Sequence, residues 1–144
     1  MYYGQEIFLS GGNDPQNREA LWDHGYGSNN LIKTLNKLRQ LAISKDPKFI
    51  TTQSKYLYND DYQLYYQKGS LLVGLNGQGA QRKVAPYDQT IQGTTYTAGE
   101  VLIEVISCGS INAGSGQITV NIKDGAPIAL YPKTSLVGSG ICGL

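Results

Sequence analysis

Gln117-Ile118-Thr119-Val120-Asn121-Ile122-Lys123 alternates aliphatic and polar residues without a slip. Ile118, Val120 and Ile122 fall on one side of an extended chain and the polar residues on the other, the period of two that a half-buried strand requires. Further strand-like runs lie on both sides of this stretch. Tyr62, Leu64 and Tyr66 alternate with Gln63, Tyr65 and Gln67, and Leu71 to Leu75 is a short apolar run. Val101 to Ile106 is another, broken only by Glu104, and Ala126 to Tyr131 closes the series before Pro132. Turn formers separate these runs: Asn59-Asp60-Asp61, Lys68-Gly69-Ser70, Asn76-Gly77, Ala98-Gly99, Asn112 to Gly116 and Lys123-Asp124-Gly125. Short strands with turns at this spacing predict a mainly β chain folded as an antiparallel sandwich.

Ahead of Lys48 the period is 3.6. Leu31, Ile32, Leu35, Leu38, Leu41 and Ala42 form one apolar stripe, which predicts a helix over Ser28 to Ser44. Ser28 or Asn29 is placed to cap it, and Asp46-Pro47 stops it, because proline disfavours a helical residue before it. A single helix ahead of an all-β region has no helical partner within the chain. Further toward the N-terminus, Leu9 to Pro15 reads as a loop. A short helix is expected over Gln16 to Trp22, with Asp14 as N-cap and Pro15 in its first turn. Met1-Tyr2-Tyr3 reads as the tail of a buried strand.

The chain has 144 residues, enough for one ordinary core. Only 16% of them are charged and the formal net charge is +1, so there is no electrostatic footprint for nucleic acid or an anionic membrane. No stretch approaches the roughly 20 apolar residues of a membrane span. Eleven tyrosines fit strand packing, and Tyr56, Tyr58, Tyr62, Tyr65 and Tyr66 also raise the possibility of an aromatic face for a sugar. Cys108 and Cys142 match no zinc spacing, and one His24 cannot complete a metal site. Two cysteines closing a long loop in a glycine-rich β region favour a disulfide and an oxidising compartment. Met1 nevertheless leads straight into Tyr2-Tyr3-Gly4-Gln5-Glu6 with no secretory signal. An N-terminal truncation reconciles the two.

Three groups of residues carry a resemblance. They are Tyr2 to Glu6 with Gly11-Gly12-Asn13-Asp14-Pro15, Asn17-Arg18-Glu19-Ala20 and Trp22; Leu41 to Asp46; and Tyr96 to Gly99 with Glu104 to Cys108, Leu130-Tyr131-Pro132 and Ile141-Cys142. In this order and spacing the chain resembles the fungal α-amylases of glycoside hydrolase family thirteen. That resemblance implies an antiparallel Greek-key β-sandwich over residues 47–144, preceded over residues 1–46 by the last β/α unit of a truncated (β/α)8 barrel. Met1 to Glu6 looks like the end of the last barrel strand, Gly11 to Tyr26 like the loop after it, and Ser28 to Ser44 like the last barrel helix. The helix stripe would then have its partners in the missing barrel.

The resemblance further implies a secreted parent enzyme that hydrolyses internal α-1,4-glucosidic bonds of starch or glycogen. In barrel enzymes the site lies in the loops after the strands. By match, Asp14 and Arg18 would grip a glucose unit on the non-reducing side of the cleavage point, a carboxylate and a guanidinium together engaging sugar hydroxyls. The alternative is that Asp14 caps the next helix and Arg18 pairs with Glu19 or Asp23. The catalytic carboxylates of the family lie in motifs ahead of this segment, as do its calcium ligands, so this chain is expected to be inactive alone and to hold no cofactor. Glu6, Asp60-Asp61, Glu100 and Glu104 do not replace the paired acids that retaining glycosidases need. Cys108 and Cys142 match a disulfide of the family's C-terminal domain; two inert buried thiols are the other reading. The expected partners are α-glucan, held weakly if at all, and the missing barrel, with neither nucleic acid nor membrane. A non-catalytic carbohydrate-binding or docking module, or a purely structural sandwich, are the alternatives.

Overall fold

The computed structural model describes residues 4–9, 11–79, 85–123 and 125–144. The strand tail expected at Met1-Tyr2-Tyr3 lies outside them. The described chain divides into two compact units, one ending at Lys37 and the other starting at Leu38.

In the first unit the expected helix over Gln16 to Trp22 does not form. Asn17 N–H donates to Asn13 O (3.1 Å) and Arg18 N–H to Pro15 O (3.0 Å), which closes a turn after Asp14 rather than starting a helix. Ala20 is then extended (φ −93°, ψ 135°), and only Leu21–His24 winds into a 3-10 turn. The helix over the apolar stripe is present as α1 (Asn30–Lys45). Asn29 is its cap: Oδ1 accepts the N–H of Leu31 at 2.9 Å and of Ile32 at 3.4 Å, satisfying two of the free donors of the first turn. After the helix, Asp46 Oδ1 accepts the N–H of Lys48 and turns the chain away. Leu38 and Ala42 are buried, whereas Leu31, Ile32 and Leu35 are only half-buried.

Eight strands follow among the described residues: β1 (Lys55–Asn59), β2 (Gln63–Lys68), β3 (Leu71–Asn76), β4 (Tyr87–Gln92), β5 (Val101–Glu104), β6 (Gly109–Asn112), β7 (Gln117–Ile122) and β8 (Ile128–Pro132). All pairings are antiparallel. One sheet has the order β1-β2-β3-β8-β5-β6, and β4 and β7 form a second over it. The Greek-key character lies in the crossings: β4 and β7 leave the large sheet, and β8 returns to its middle. The fold is the antiparallel sandwich that the alternation predicts.

Ile118, Val120 and Ile122 are all buried, so the quoted stretch does face inward with its aliphatic side. They meet Ile91 from β4 and Tyr65, Leu72, Leu102 and Leu130 from the large sheet in one core. The opposite side of the large sheet is covered over β5 and β8, where Ile103, Ala129 and Tyr131 are buried and the short α2 (Lys133–Leu136) packs with Leu136 inward. The aliphatic residues of β2 are not the buried ones. Gln63, Tyr65 and Gln67 face the interior, and Leu64 and Tyr66 face out. Two glutamines are tolerated there because their amides are satisfied. Gln67 donates to Thr95 Oγ1 and accepts from Thr95 N–H (2.8 and 2.9 Å), while Gln63 accepts from the Tyr65 hydroxyl (2.9 Å) and donates to Tyr87.

Candidate functional site

Asp14 and Arg18 come together at one turn. Arg18 Nε lies 3.2 Å from Asp14 Oδ1, and their side chains are 72% and 65% exposed. Arg18 therefore pairs with Asp14 rather than with Glu19 or Asp23. An exposed i,i+4 pair contributes at most about 1 kcal/mol, so little opposes its opening toward a ligand. Asp14 does not cap the following 3-10 turn, which has no side-chain cap. Glu19 staples the loop instead: Oε1 accepts the N–H of Gly11 and Oε2 sits 2.9 Å from His24 Nε2. His24 is thus a loop histidine, and this staple closes the segment that carries Asp14 and Arg18.

Two aromatic side chains share a cavity with Arg18, the pair's guanidinium. Arg18, Ala20, Leu21, Trp22 and Tyr26 line an open cavity of about 430 Å³, and Trp22 and Tyr26 are each 69% exposed. The available signal was Trp22, four residues beyond the arginine in sequence. The assembly offers a carboxylate, a guanidinium and flat apolar rings, the combination that binds polyhydroxylated rings.

The five tyrosines of the first two strands do not form one platform. Tyr65 is buried, Tyr58 packs on it with ring centroids 6.2 Å apart, and Tyr66 faces the other side of the sheet. Burial pushes the Tyr65 hydroxyl up strongly, and the hydrogen bond to Asp60, followed by burial, raises Tyr58. Asp60 is held below the usual carboxylate range, first by the N–H of Tyr62, then also by Gln63 N–H and the Tyr58 hydroxyl. These groups organise the β1–β2 turn. Tyr56 and Tyr62 remain more than a third exposed.

Among the described residues no three of His, Cys, Asp and Glu converge as metal ligands.

Cys108 and Cys142 are joined, with Cα atoms 5.3 Å apart. Both residues adopt positive φ (61° and 54°), and the turn before Cys108 is fixed by Glu104. Its Oε1 accepts from Ile106 N–H (3.2 Å) and Ala129 N–H (3.0 Å), and its Oε2 from Ser107 N–H (2.6 Å). Glu104 breaks the apolar run of β5 because its carboxylate ends the strand and ties the turn to β8. Replacing it with alanine orphans three donors and is expected to remove about 2 kcal/mol of stability. Urea denaturation of Glu104→Ala checks this; an unchanged midpoint would leave the carboxylate without a structural role.

Fold, staple and loop define a disulfide-bonded β-sandwich domain with a polar loop unit ahead of it. The chain belongs to the α-amylase domain C family: the family model "Alpha-amylase, domain C" matches residues 56–144. It is 40% identical to Alpha-amylase 1 of Schwanniomyces occidentalis, over 99% of this chain and 29% of that protein. It is 36% identical to an Alpha-amylase of Saccharomycopsis fibuligera, over 99% of this chain and 28% of that protein. The solved structure of an alpha-amylase from Malbranchea cinnamomea superimposes with a TM-score of 0.87 at 38% identity, covering 96% of this chain and 30% of that one. The resemblance read from the residues is borne out. The chain spans less than a third of the length of these relatives.

Proposed function

We propose that this chain is the C-terminal part of a secreted α-amylase acting on internal α-1,4 bonds of starch or glycogen, and that Asp14 and Arg18 contact the glucan. The observation that carries this reading is the exposed Asp14–Arg18 pair beside Trp22 and Tyr26, on the segment whose residues match the fungal enzymes. The pair's charged hydrogen-bonding groups reach sugar hydroxyls in pairs, and the rings flank them. In this reading the paired carboxylates and the calcium ligands belong to the barrel, which is the partner of this segment. The chain alone is a one-sided subsite that holds glucan weakly. The disulfide supports an oxidising, extracellular location for the parent.

Trp22 is the chain's sole tryptophan, so its emission reports directly on this loop. Maltoheptaose at millimolar concentration is expected to shift that emission, with Asp14→Ala or Arg18→Ala weakening the response about tenfold, the loss of one charge-assisted hydrogen bond. The pure chain is expected to release no reducing sugar from soluble starch. A flat titration by both emission and calorimetry would remove the glucan contact, and starch hydrolysis would overturn the inactivity.

A further inference from the structure

Glu19 holds the loop that carries Asp14 and Arg18 at two points well separated in sequence. Among the described residues, the backbone hydrogen bonds within residues 11–26 span five residues at most, so each closes only a local turn. The Glu19 carboxylate reaches further. Its Oε1 accepts the N–H of Gly11, eight residues back, at 2.5 Å, and its Oε2 lies 2.9 Å from His24 Nε2. Gly11 also abuts the returning chain: its φ is 56°, and a Cβ there would lie 2.6 Å from Asn17 Cα, next to Arg18 in sequence. His24 ends the 3-10 turn that carries Trp22. One carboxylate therefore fastens the start of the loop to the turn that bears the indole ring. The Glu19 side chain is 28% exposed, well below the Asp14 and Arg18 side chains, which stand open to solvent.

We propose that Glu19 is a positioning residue for glucan binding, and that the charge of His24 sets how firmly it holds the loop. This inference rests on the reading that Asp14 and Arg18 contact the glucan. Glu19 does not line the cavity formed by Arg18, Ala20, Leu21, Trp22 and Tyr26, so its effect passes through those residues. A loop already held in its binding shape loses less affinity to ordering than one that must be gathered around the ligand. Protonated, His24 gives Glu19 a charge-assisted hydrogen bond, roughly twice as strong as a neutral one. The hold is therefore firmest on the acid side of the imidazole's titration, with Glu19 ionised, and loosens as His24 gives up its proton. His24 is the sole histidine of the chain, so no second imidazole changes charge alongside it. The other titratable groups of the segment are Asp23, next to His24 in sequence, Tyr26, and Asp14 and Arg18, which pair with each other.

Calorimetric titration of the whole chain with maltoheptaose at about pH 5.5 and about pH 8 tests this, because an imidazole changes charge between those values. The parent chain is expected to bind about threefold more weakly at the higher pH, as a charge-assisted bond gives way to a neutral one. Glu19→Ala, which removes both links, is expected to bind about fivefold more weakly than the parent at the lower pH. Glu19→Gln can still accept the Gly11 N–H and is expected to recover part of that loss. Neither Glu19→Gln nor His24→Gln is expected to weaken between the two pH values. Parent-like binding by Glu19→Ala would overturn the inference while leaving the glucan reading in place. So would a parent affinity that does not change with pH, or a pH effect that persists in His24→Gln. A flat titration of the parent would instead remove the glucan reading, and this inference with it.

Discussion

Gly74→Val in β3 is expected to lower the stability of the sandwich by about 3 kcal/mol, the upper end of what overpacking a core costs. Gly74 pairs directly with Tyr65 across the β2–β3 ladder. A Cβ at this position would overlap Tyr65 Cε1 and lie 2.8 Å from Cδ1, closer than side chains pack. The ring cannot yield easily. It is 2% exposed, stacked at a tilt on Tyr58, and its hydroxyl is bound to Gln63, which also donates to Tyr87. Displacing it therefore adds lost hydrogen bonds to the steric strain. Gly77→Ala is the control, since a Cβ there meets only Tyr62 O at 3.6 Å. Urea denaturation of both variants decides it: a Gly74→Val midpoint equal to that of the control would mean that Tyr65 moves freely.

Removing the disulfide is expected to cost as much or more. Cys108 and Cys142 are 34 residues apart, and closing a loop of that length restricts the unfolded chain by about 3–4 kcal/mol in the chain-entropy account. The loop that the bond closes contains β6, β7, β8 and α2. The double variant Cys108→Ser/Cys142→Ser, followed by calorimetry, is expected to melt well below the parent chain. A difference below about 1 kcal/mol would show that the packing of Ile141 and Leu136 holds the segment without the bond.

The parts of the fold that sequence reading reached are those where one physical signal dominates. β7 was legible because three buried β-branched residues alternate with polar ones, and α1 because its stripe and its proline stop agree. β4 was not legible. Tyr87-Asp88-Gln89-Thr90-Ile91-Gln92 sends only Ile91 fully into the core, and its outer side is a ladder of polar pairs, Asp88–Asn121, Thr90–Thr119 and Gln92–Gln117. These pairs exist only once the partner strand is in place. The parity of β2 misled for the converse reason. Its buried face carries two glutamines whose partners, Thr95 and Tyr87, are more than twenty residues away, so periodicity favoured the aliphatic side.

The candidate site divides in the same way. Asp14 and Arg18 were legible through the motif that contains them, and their closeness through i,i+4 spacing. The helix expected over Gln16 to Trp22 was not realised: Asn17 N–H and Arg18 N–H close a turn on Asn13 O and Pro15 O, and the Glu19 side chain is engaged by Gly11 N–H and His24. Trp22 and Tyr26 were visible as letters, but their exposure depends on the extended Ala20 and the 3-10 turn after it, which propensity alone does not set.

The position of β8 has a consequence for the order of events during synthesis. It is the last strand in sequence among those described, yet it sits between β3 and β5. Until residues 128–132 leave the ribosome, β1-β2-β3 and β5-β6 are two separate ribbons with open edges, and neither can close the core. Such edges attract other chains. A chain truncated before residue 128 is therefore expected to expose both edges and to self-associate, whereas the chain that includes β8 closes them.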